Sequence, residues 1–573
     1  MNSKKDNIEH GMNETLAQDV AAGEMKDLGE PHSSHTGELH RTFKARHIQM
    51  IALGTPSHQP VETNISLTGI NNRWLYWKRS IYIHRKSSSL WRSNGHVDWI
   101  YARLYNADMM RKAFSMMIVL SEATCIFPTP GSFIDHAARF IDPAVGFATG
   151  FTEWFGWMTV CATEAAVARI ILRQKNSYWT EAIPTPAVMV IFLTIVFTIH
   201  VFPNTWFAEF EFITGALKVI AMLIILLACI AILGGAGSYT TSDRGWNYRE
   251  APIFPNGFKG VCMTFTLAGW ATGGQEIMGL TAAEAKMPRW NMPRACINLF
   301  ARIIFFYELS VIFITLLVPY TNPTLLGDGS AANSPFVIAM NLAGIKGIPD
   351  MLNAIILLGL VAIGAESIYM GSRILSAMAN LNMLPKALGR VDKKGRPYWG
   401  LLVTALGSTI CTFINCSSTG GIIFSWFSSV SATSYFLSWL VISITNIQMR
   451  RAFKSQEDDV WKLPHAWKQR LFPLATVFLF TSTLLVLILT AYVAADPIDS
   501  SPSVKSFFQT CLGIPVWIFA FVGYKLYFRT KFSKPVEADL QTGRRPLSHE
   551  DIQFLDKYHS QPWWKRGLSY VTF

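Results

Sequence analysis

The chain has 573 residues, of which 50% are hydrophobic and 15% charged, with a formal net charge of +12, whereas soluble domains carry roughly 25% charged residues. Together with a positive mean hydropathy, this makes a bilayer the expected solvent. The basic excess does not indicate nucleic acid, because most Lys and Arg residues sit in short connections between apolar runs, where membrane topology places them.

From the N-terminus, residues 1–45 form a polar tail without an apolar core bounded by a small-residue cleavage site, so no cleaved signal peptide is expected. Residues 46–112 hold no apolar run of spanning length and carry Arg73, Lys78, Arg79, Arg85, Lys86, Arg92 and Arg103. A short apolar run at 113–127 contains Glu122. Crossing the hydrocarbon takes about twenty apolar residues. Ten stretches reach that length, near 145–173, 185–203, 211–235, 259–281, 297–320, 349–371, 399–417, 421–446, 472–495 and 505–528. The transmembrane domain is therefore 113–528. Residues 529–573 form a second polar tail, expected to be largely disordered, with Trp563, Trp564, Lys565 and Arg566 suited to resting on a membrane surface.

Charge orients the spans. One set of connections carries Lys286, Arg289 and Arg294, then Arg373, Lys386, Arg390, Lys393, Lys394 and Arg396, then Arg450, Arg451, Lys454, Lys462, Lys468 and Arg470. The alternate connections at 321–334 and 496–504 have no Lys or Arg, so the basic set is predicted to face the cytoplasm, with both termini on that side. Arg244 and Arg249, in the connection 236–258, run against the bias without reversing it. The eight cysteines lie mostly inside apolar segments, with no Cys-x-x-Cys pair and no zinc-like His spacing, and read as small buried hydrophobes. Gly-x-Ser-x-Gly, P-loop and His-Glu-x-x-His patterns are absent, so the chain is not expected to be an enzyme, and no catalytic residue, metal or cofactor is predicted.

An ionisable group inside a span costs roughly 2.5 to 3.5 kcal/mol on insertion scales, so each needs a reason. Five stand out: Glu153, Glu164, Lys218, Glu276 and Glu366. Glu276 closes a glycine-containing stretch, Trp270-Ala271-Thr272-Gly273-Gly274-Gln275-Glu276, of the kind that interrupts a membrane helix and lines a solute cavity. Glycines there also serve close helix packing.

Several blocks, in order, carry a family resemblance: Pro130-Gly131-Ser132-Phe133 with Arg139-Phe140-Ile141-Asp142-Pro143-Ala144; Gly279-Leu280-Thr281-Ala282-Ala283-Glu284-Ala285; Leu317-Val318-Pro319-Tyr320; Ser334-Pro335-Phe336; Gly395-Arg396-Pro397; and Asp539-Leu540-Gln541-Thr542-Gly543-Arg544. In these the chain resembles the fungal amino-acid permeases of the amino acid-polyamine-organocation superfamily. The resemblance implies an all-α polytopic fold of twelve helices, two inverted five-helix repeats plus two more, whose first and sixth helices unwind at mid-membrane. The chain departs from it after Leu53-Gly54. A Gly-rich first helix is expected there, but 46–112 reads as an aberrant segment replacing it, with the look of a misread frame or retained intron, and the family pattern resumes at Leu120-Ser121-Glu122-Ala123-Thr124. Half of the expected substrate cradle is then missing, which predicts lost or reduced transport by the chain as written.

The resemblance implies a secondary active importer of amino acids in the plasma membrane, working by proton symport and alternating access. Trp270, Gly273, Gly274, Gln275 and Glu276 would contact substrate, with Gln275 standing where the family has threonine. Glu276 and Lys218 would couple protons, Lys218 matching a family lysine that takes the place of a coupling sodium; a lysine snorkelling from the helix end is the other reading. Glu153, Glu164 and Glu366 would favour a cationic solute, with Trp154, Trp157 and Trp270 assisting by cation-π contact, or else serve helix–helix hydrogen bonding. Partners are then an amino acid or related organic cation, protons, lipid, and cytoplasmic regulators of the tails. The alternatives are a non-transporting nutrient sensor with a permease fold, and a polyamine or quaternary-amine transporter.

Overall fold

The computed structural model describes residues 46, 95–172, 183–238, 245, 258–263, 265, 273–285, 287–302, 309–319, 322, 335–345, 347–414, 418–463, 465–497 and 501–568, with 95–110 described by backbone alone. Trp270 lies outside the described residues. Among the described residues the ordered elements are helices: α1 Gly95–Ile126, α2 Phe133–Phe140, α3 Pro143–Leu172, α4 Thr185–Ile199, α5 Asn204–Leu233, α6 Ile277–Thr281, α7 Pro288–Arg302, α8 Leu309–Leu317, α9 Pro335–Leu342, α10 Ile348–Asn380, α11 Tyr398–Ile414, α12 Ser418–Ser455, α13 Leu474–Ala495, α14 Val504–Cys511, α15 Gly513–Phe528, α16 His549–His559 and α17 Trp563–Leu568.

Proline sets many of the starts, because its missing N–H costs nothing in the first turn. Pro143 opens α3, where the Asp142 carboxylate accepts from the Ala144 amide at 2.8 Å; Pro184, Pro203 and Pro473 immediately precede α4, α5 and α13. Among the described residues, four helices are long and apolar enough to cross a membrane: Asn204–Leu233, Asp350–Asn380, Ser429–Ser455 and Leu474–Ala495. The pair α14 and α15, bent by 66°, counts as a fifth if it is one span. Helices α5 and α13 turn Ile220, Leu227, Ile230, Val477, Leu485 and Ile488 outward, an apolar surface that suits lipid.

Helix α3 lies at the centre, with its most extensive packing against α10, then α12 and α15. Small residues bring the axes together. A side chain at Gly150 would press on Met378 of α10, and one at Gly400 of α11 would come within 2.7 Å of the Ser372 carbonyl.

Two expectations are corrected. The short run at 113–127 is the C-terminal part of the 32-residue α1, which reaches back to Gly95. Asp98, Arg103, Asn106, Asp108, Arg111 and Lys112 dilute its hydropathy, so a search for apolar runs passes over it. The C-terminal tail is ordered across 529–568 and docks on the basic connections. Arg544 makes a bidentate pair with Asp458 at 2.6 and 3.2 Å, and Gln456 donates to the carbonyls of Pro535 and Ala538 at 3.0 and 2.7 Å. Arg289 donates to the Arg545 carbonyl at 2.9 Å, and Trp290 meets Phe554 and Tyr558 edge-on. Polar side chains make this tail look disordered in sequence, yet its partners are polar too. Trp563 and Trp564 remain 79% and 54% exposed, free to meet a surface.

The charge pair and the imidazoles make the docking testable. Replacing Arg544 with Ala removes a part-buried bidentate pair worth about 1 kcal/mol; we expect trypsin to cut the tail roughly fivefold faster while the helical domain stays protected. His465 Nε2 donates to the Asp556 carboxylate at 2.9 Å, and its ring stacks on His559 at 5.3 Å. Burial first, then the charges of His465 and Arg566, hold His559 below its ordinary value of 6.5, against the opposite pull of Asp556. A base depressed by folding stabilises the docked form at neutral pH and loses that contribution as pH falls below 6.5. Tail protection should therefore decline on acidification below 6.5, and His559→Phe should flatten the decline.

Candidate functional site

The glycine break predicted between 270 and 276 is present in its described part. Gly273 and Gly274 are non-helical, Gly274 at φ +83°, and α6 begins only at Ile277. An L side chain is strained at that φ, and Trp157 of α3 lies against the bare Cα face, 3.6 Å from where a Cβ would sit. The other end of the short helix is held by motif residues. Gly279 of α6 lies so close to the Ser132 hydroxyl at the start of α2 that no Cβ fits. Two blocks of the family pattern therefore meet there.

Glu276 is 1% exposed and accepts from the Trp439 indole N–H of α12 at 2.9 Å. Glu153 of α3 is fully buried and accepts from the Ser438 hydroxyl at 2.5 Å. Neighbouring residues of one helix thus hold two carboxylates, which lie within electrostatic reach of each other. Trp157, stacked edge-on to Tyr435 at 6.0 Å, forms the adjoining wall. Gln275, 1% exposed, makes no side-chain hydrogen bond among the described residues. A buried amide in that condition carries a desolvation cost that a bound polar group would relieve. The corner is closed to solvent in this conformation.

The remaining predicted residues lie elsewhere. Glu164 is buried on α3 about 16 Å along the axis from Glu153 at 1.5 Å per residue. It is near Cys161, whose thiol reaches Ser367 of α10, the residue after buried Glu366. Lys218 sits on α5 with its stem against Gly359 of α10 and its charge within reach of Glu211. Trp154 ties α3 to α11 through the Thr404 hydroxyl at 3.2 Å. Sequence reasoning missed the α12 residues Tyr435, Phe436, Ser438 and Trp439. A Tyr435 to Trp439 spacing of i, i+4 was the available signal that one aromatic face points inward.

Beyond the break, Glu284 is fully buried and accepts from the Tyr369 hydroxyl at 2.7 Å and from Arg373 Nε at 3.1 Å, with the guanidinium 3.7 Å from the Tyr369 ring centroid. Seven of the eight cysteines are described, all of them buried and in no disulfide.

Apolar spans around a buried polar corner define a polytopic solute carrier. The amino acid permease family matches residues 110–535, and the chain belongs to that family. It is similar to the general amino-acid permease GAP2 of Candida albicans, at 33% identity over 89% of this chain and 82% of that one. Similarity to cationic amino acid transporter 1 of Schizosaccharomyces pombe is 32% over 90% and 84%. For the general amino-acid permease GAP1 of Saccharomyces cerevisiae it is 34% over 76% and 73%. A manganese transporter of Eremococcus coleocola superposes with a TM-score of 0.42 at 13% identity, over 84% of this chain and 93% of that one, a likeness too loose to inform the site. The protein is an integral membrane carrier of amino acids, not an enzyme.

If the indole holds the carboxylate, the two should be energetically coupled. Trp439→Phe removes one charge-assisted hydrogen bond, about 1.5 to 3 kcal/mol, and should lower the melting temperature in detergent. Added to Glu276→Gln it should cost less than the sum of the two single changes; strict additivity would show that the contact does not matter.

Proposed function

We propose that the chain is a proton-coupled symporter of the plasma membrane that favours cationic amino acids and works by alternating access, with the basic connections and both termini in the cytoplasm. The observation that carries this is the pairing of Glu153 and Glu276 beside the break, next to a buried Gln275 amide without a hydrogen-bond partner among the described residues. Two carboxylates in one enclosed corner call for positive charge. On this reading Gly273, Gly274 and Gln275 meet the solute's polar groups, Glu276 its ammonium, and Trp270 belongs to the same break. Lys218 serves coupling from α5, while Glu164 and Glu366 add negative charge along α3 and α10. The name of the similar cationic amino acid transporter supports the choice of solute. A polyamine is the nearest alternative chemistry. The replaced first helix predicts weak flux.

The test is uptake of labelled arginine and leucine into proteoliposomes under an imposed proton gradient. Arginine should accumulate above leucine, a protonophore should collapse the accumulation, and Glu276→Gln should reduce it by about tenfold or more, equivalent to roughly 1.4 kcal/mol. Preference for leucine, or indifference to the gradient, would sink the proposal. Stabilisation by arginine with no accumulation would instead establish the sensor reading.

A further inference from the structure

Lys112 of α1 is fully buried, whereas its neighbour Arg111 is exposed. Its ammonium lies 4.7 Å from the Phe436 ring centroid and 5.4 Å from that of Trp439. Trp439 is the same residue whose indole N–H donates to Glu276 at 2.9 Å. One indole therefore presents its ring system to a cation and its N–H edge to a carboxylate. Aromatic faces beside an acid are the chemistry that recognises an organic ammonium, and a desolvated ammonium gains most from them.

We infer that Phe436, Trp439 and Glu276 form a cation subsite whose occupant in this structure is the chain's own Lys112, which makes Lys112 a specificity-determining residue of the carrier. The inference rests on the reading of this corner as the solute site. A solute's ammonium reaches these rings when that of Lys112 withdraws along α1, so the lysine excludes weakly binding cations and holds the corner when it is empty. Phe436 also packs on Val486 and Leu487 of α13, and the inward face of α12 is held further along by Asn446 and Arg450.

The experiment is chemical rescue on the purified full chain in detergent, with n-butylammonium as the probe because it reproduces the lysine stem and charge. Lys112→Ala should be stabilised by n-butylammonium with an apparent affinity at least about tenfold above wild type. n-Butanol, the uncharged analogue, should have no such effect. Lys112→Met, which refills the space without charge, should respond weakly, and Glu276→Gln in the Lys112→Ala background should abolish the response. An equal response in wild type and Lys112→Ala, or equal rescue by n-butanol, overturns the inference. So does failure of both single variants to fold, since a displaceable occupant cannot be indispensable. Binding is read without flux, so the two proposals fail separately: rescue with no arginine uptake removes the transport reading alone, and uptake without rescue removes the subsite.

Discussion

One face of α12 makes the buried carboxylates tolerable. Ser438 serves Glu153, Trp439 serves Glu276, and Asn446 with Arg450 serves Glu122 of α1, the Asn446 amide at 2.8 Å and Arg450 Nε at 3.0 Å. Trp439, Asn446 and Arg450 follow at intervals of seven and four residues, which a helix stacks on one side. A carboxylate stripped of such partners in a low-dielectric interior costs several kcal/mol. The placement of α1, α3 and the glycine break around α12 follows from that requirement. The lower network has further members: the Gln469 backbone N–H also donates to Glu122 at 3.1 Å, and Thr476 links the Gln469 side chain to Asn446 at 3.0 Å on each side. It ties α1 to α12 at that end, and the upper corner is the one that adjoins the glycine break.

The segment from Glu276 to Glu284 is held at its two ends by different helices. At Glu284 a tyrosine hydroxyl and an arginine converge on one carboxylate oxygen, and Tyr369 is itself stacked on Phe207 at 4.4 Å. Breaking that buried group by losing one partner leaves an uncompensated charge. At Glu276 the indole N–H of Trp439 donates, two residues after Gly274, whose φ of +83° strains any L side chain. The Glu284 end is thus tied to α10 and the Glu276 end to α12.

Part of the span pattern was legible, because apolar length is a one-dimensional property: the stretches read near 211–235, 349–371, 421–446 and 472–495 overlap the four described helices long and apolar enough to cross a membrane. The bounds read near 145–173, 349–371 and 472–495 fall within Pro143–Leu172, Ile348–Asn380 and Leu474–Ala495 to within a few residues at most starts, while α10 runs on past its predicted end. The described part of the break was legible too, although the same glycines would equally have suited close helix packing. What escaped was everything defined by a partner. Trp439 and Ser438 look like ordinary packing residues until Glu276 and Glu153 are brought against them. Lys112 is the last residue of the segment 46–112, and nothing local in the sequence says that α1 turns it inward. The tail from 529 to 568 has the composition of disorder and is ordered by salt bridges and carbonyl contacts made across 80 or more residues, such as Gln456 to Ala538.

Charge balance ties the proposed coupling to the proposed subsite. Glu153 and Glu276 ionised together, against one Lys112 ammonium over the rings, leave one negative charge enclosed with little water, and such a state is costly enough that a proton or a solute cation must accompany it. With Lys112 seated, a single proton on either carboxylate neutralises the corner. With Lys112 withdrawn, a cationic solute and a proton together restore the same balance. An empty carrier and a loaded carrier are then both close to neutral, which is the condition for α12 and the glycine break to move past each other in either state, while a corner holding the solute without the proton, or neither the solute nor Lys112, stays charged. Coupling in this scheme needs no dedicated relay. It follows from two carboxylates sharing one enclosed corner with an internal cation that the solute replaces.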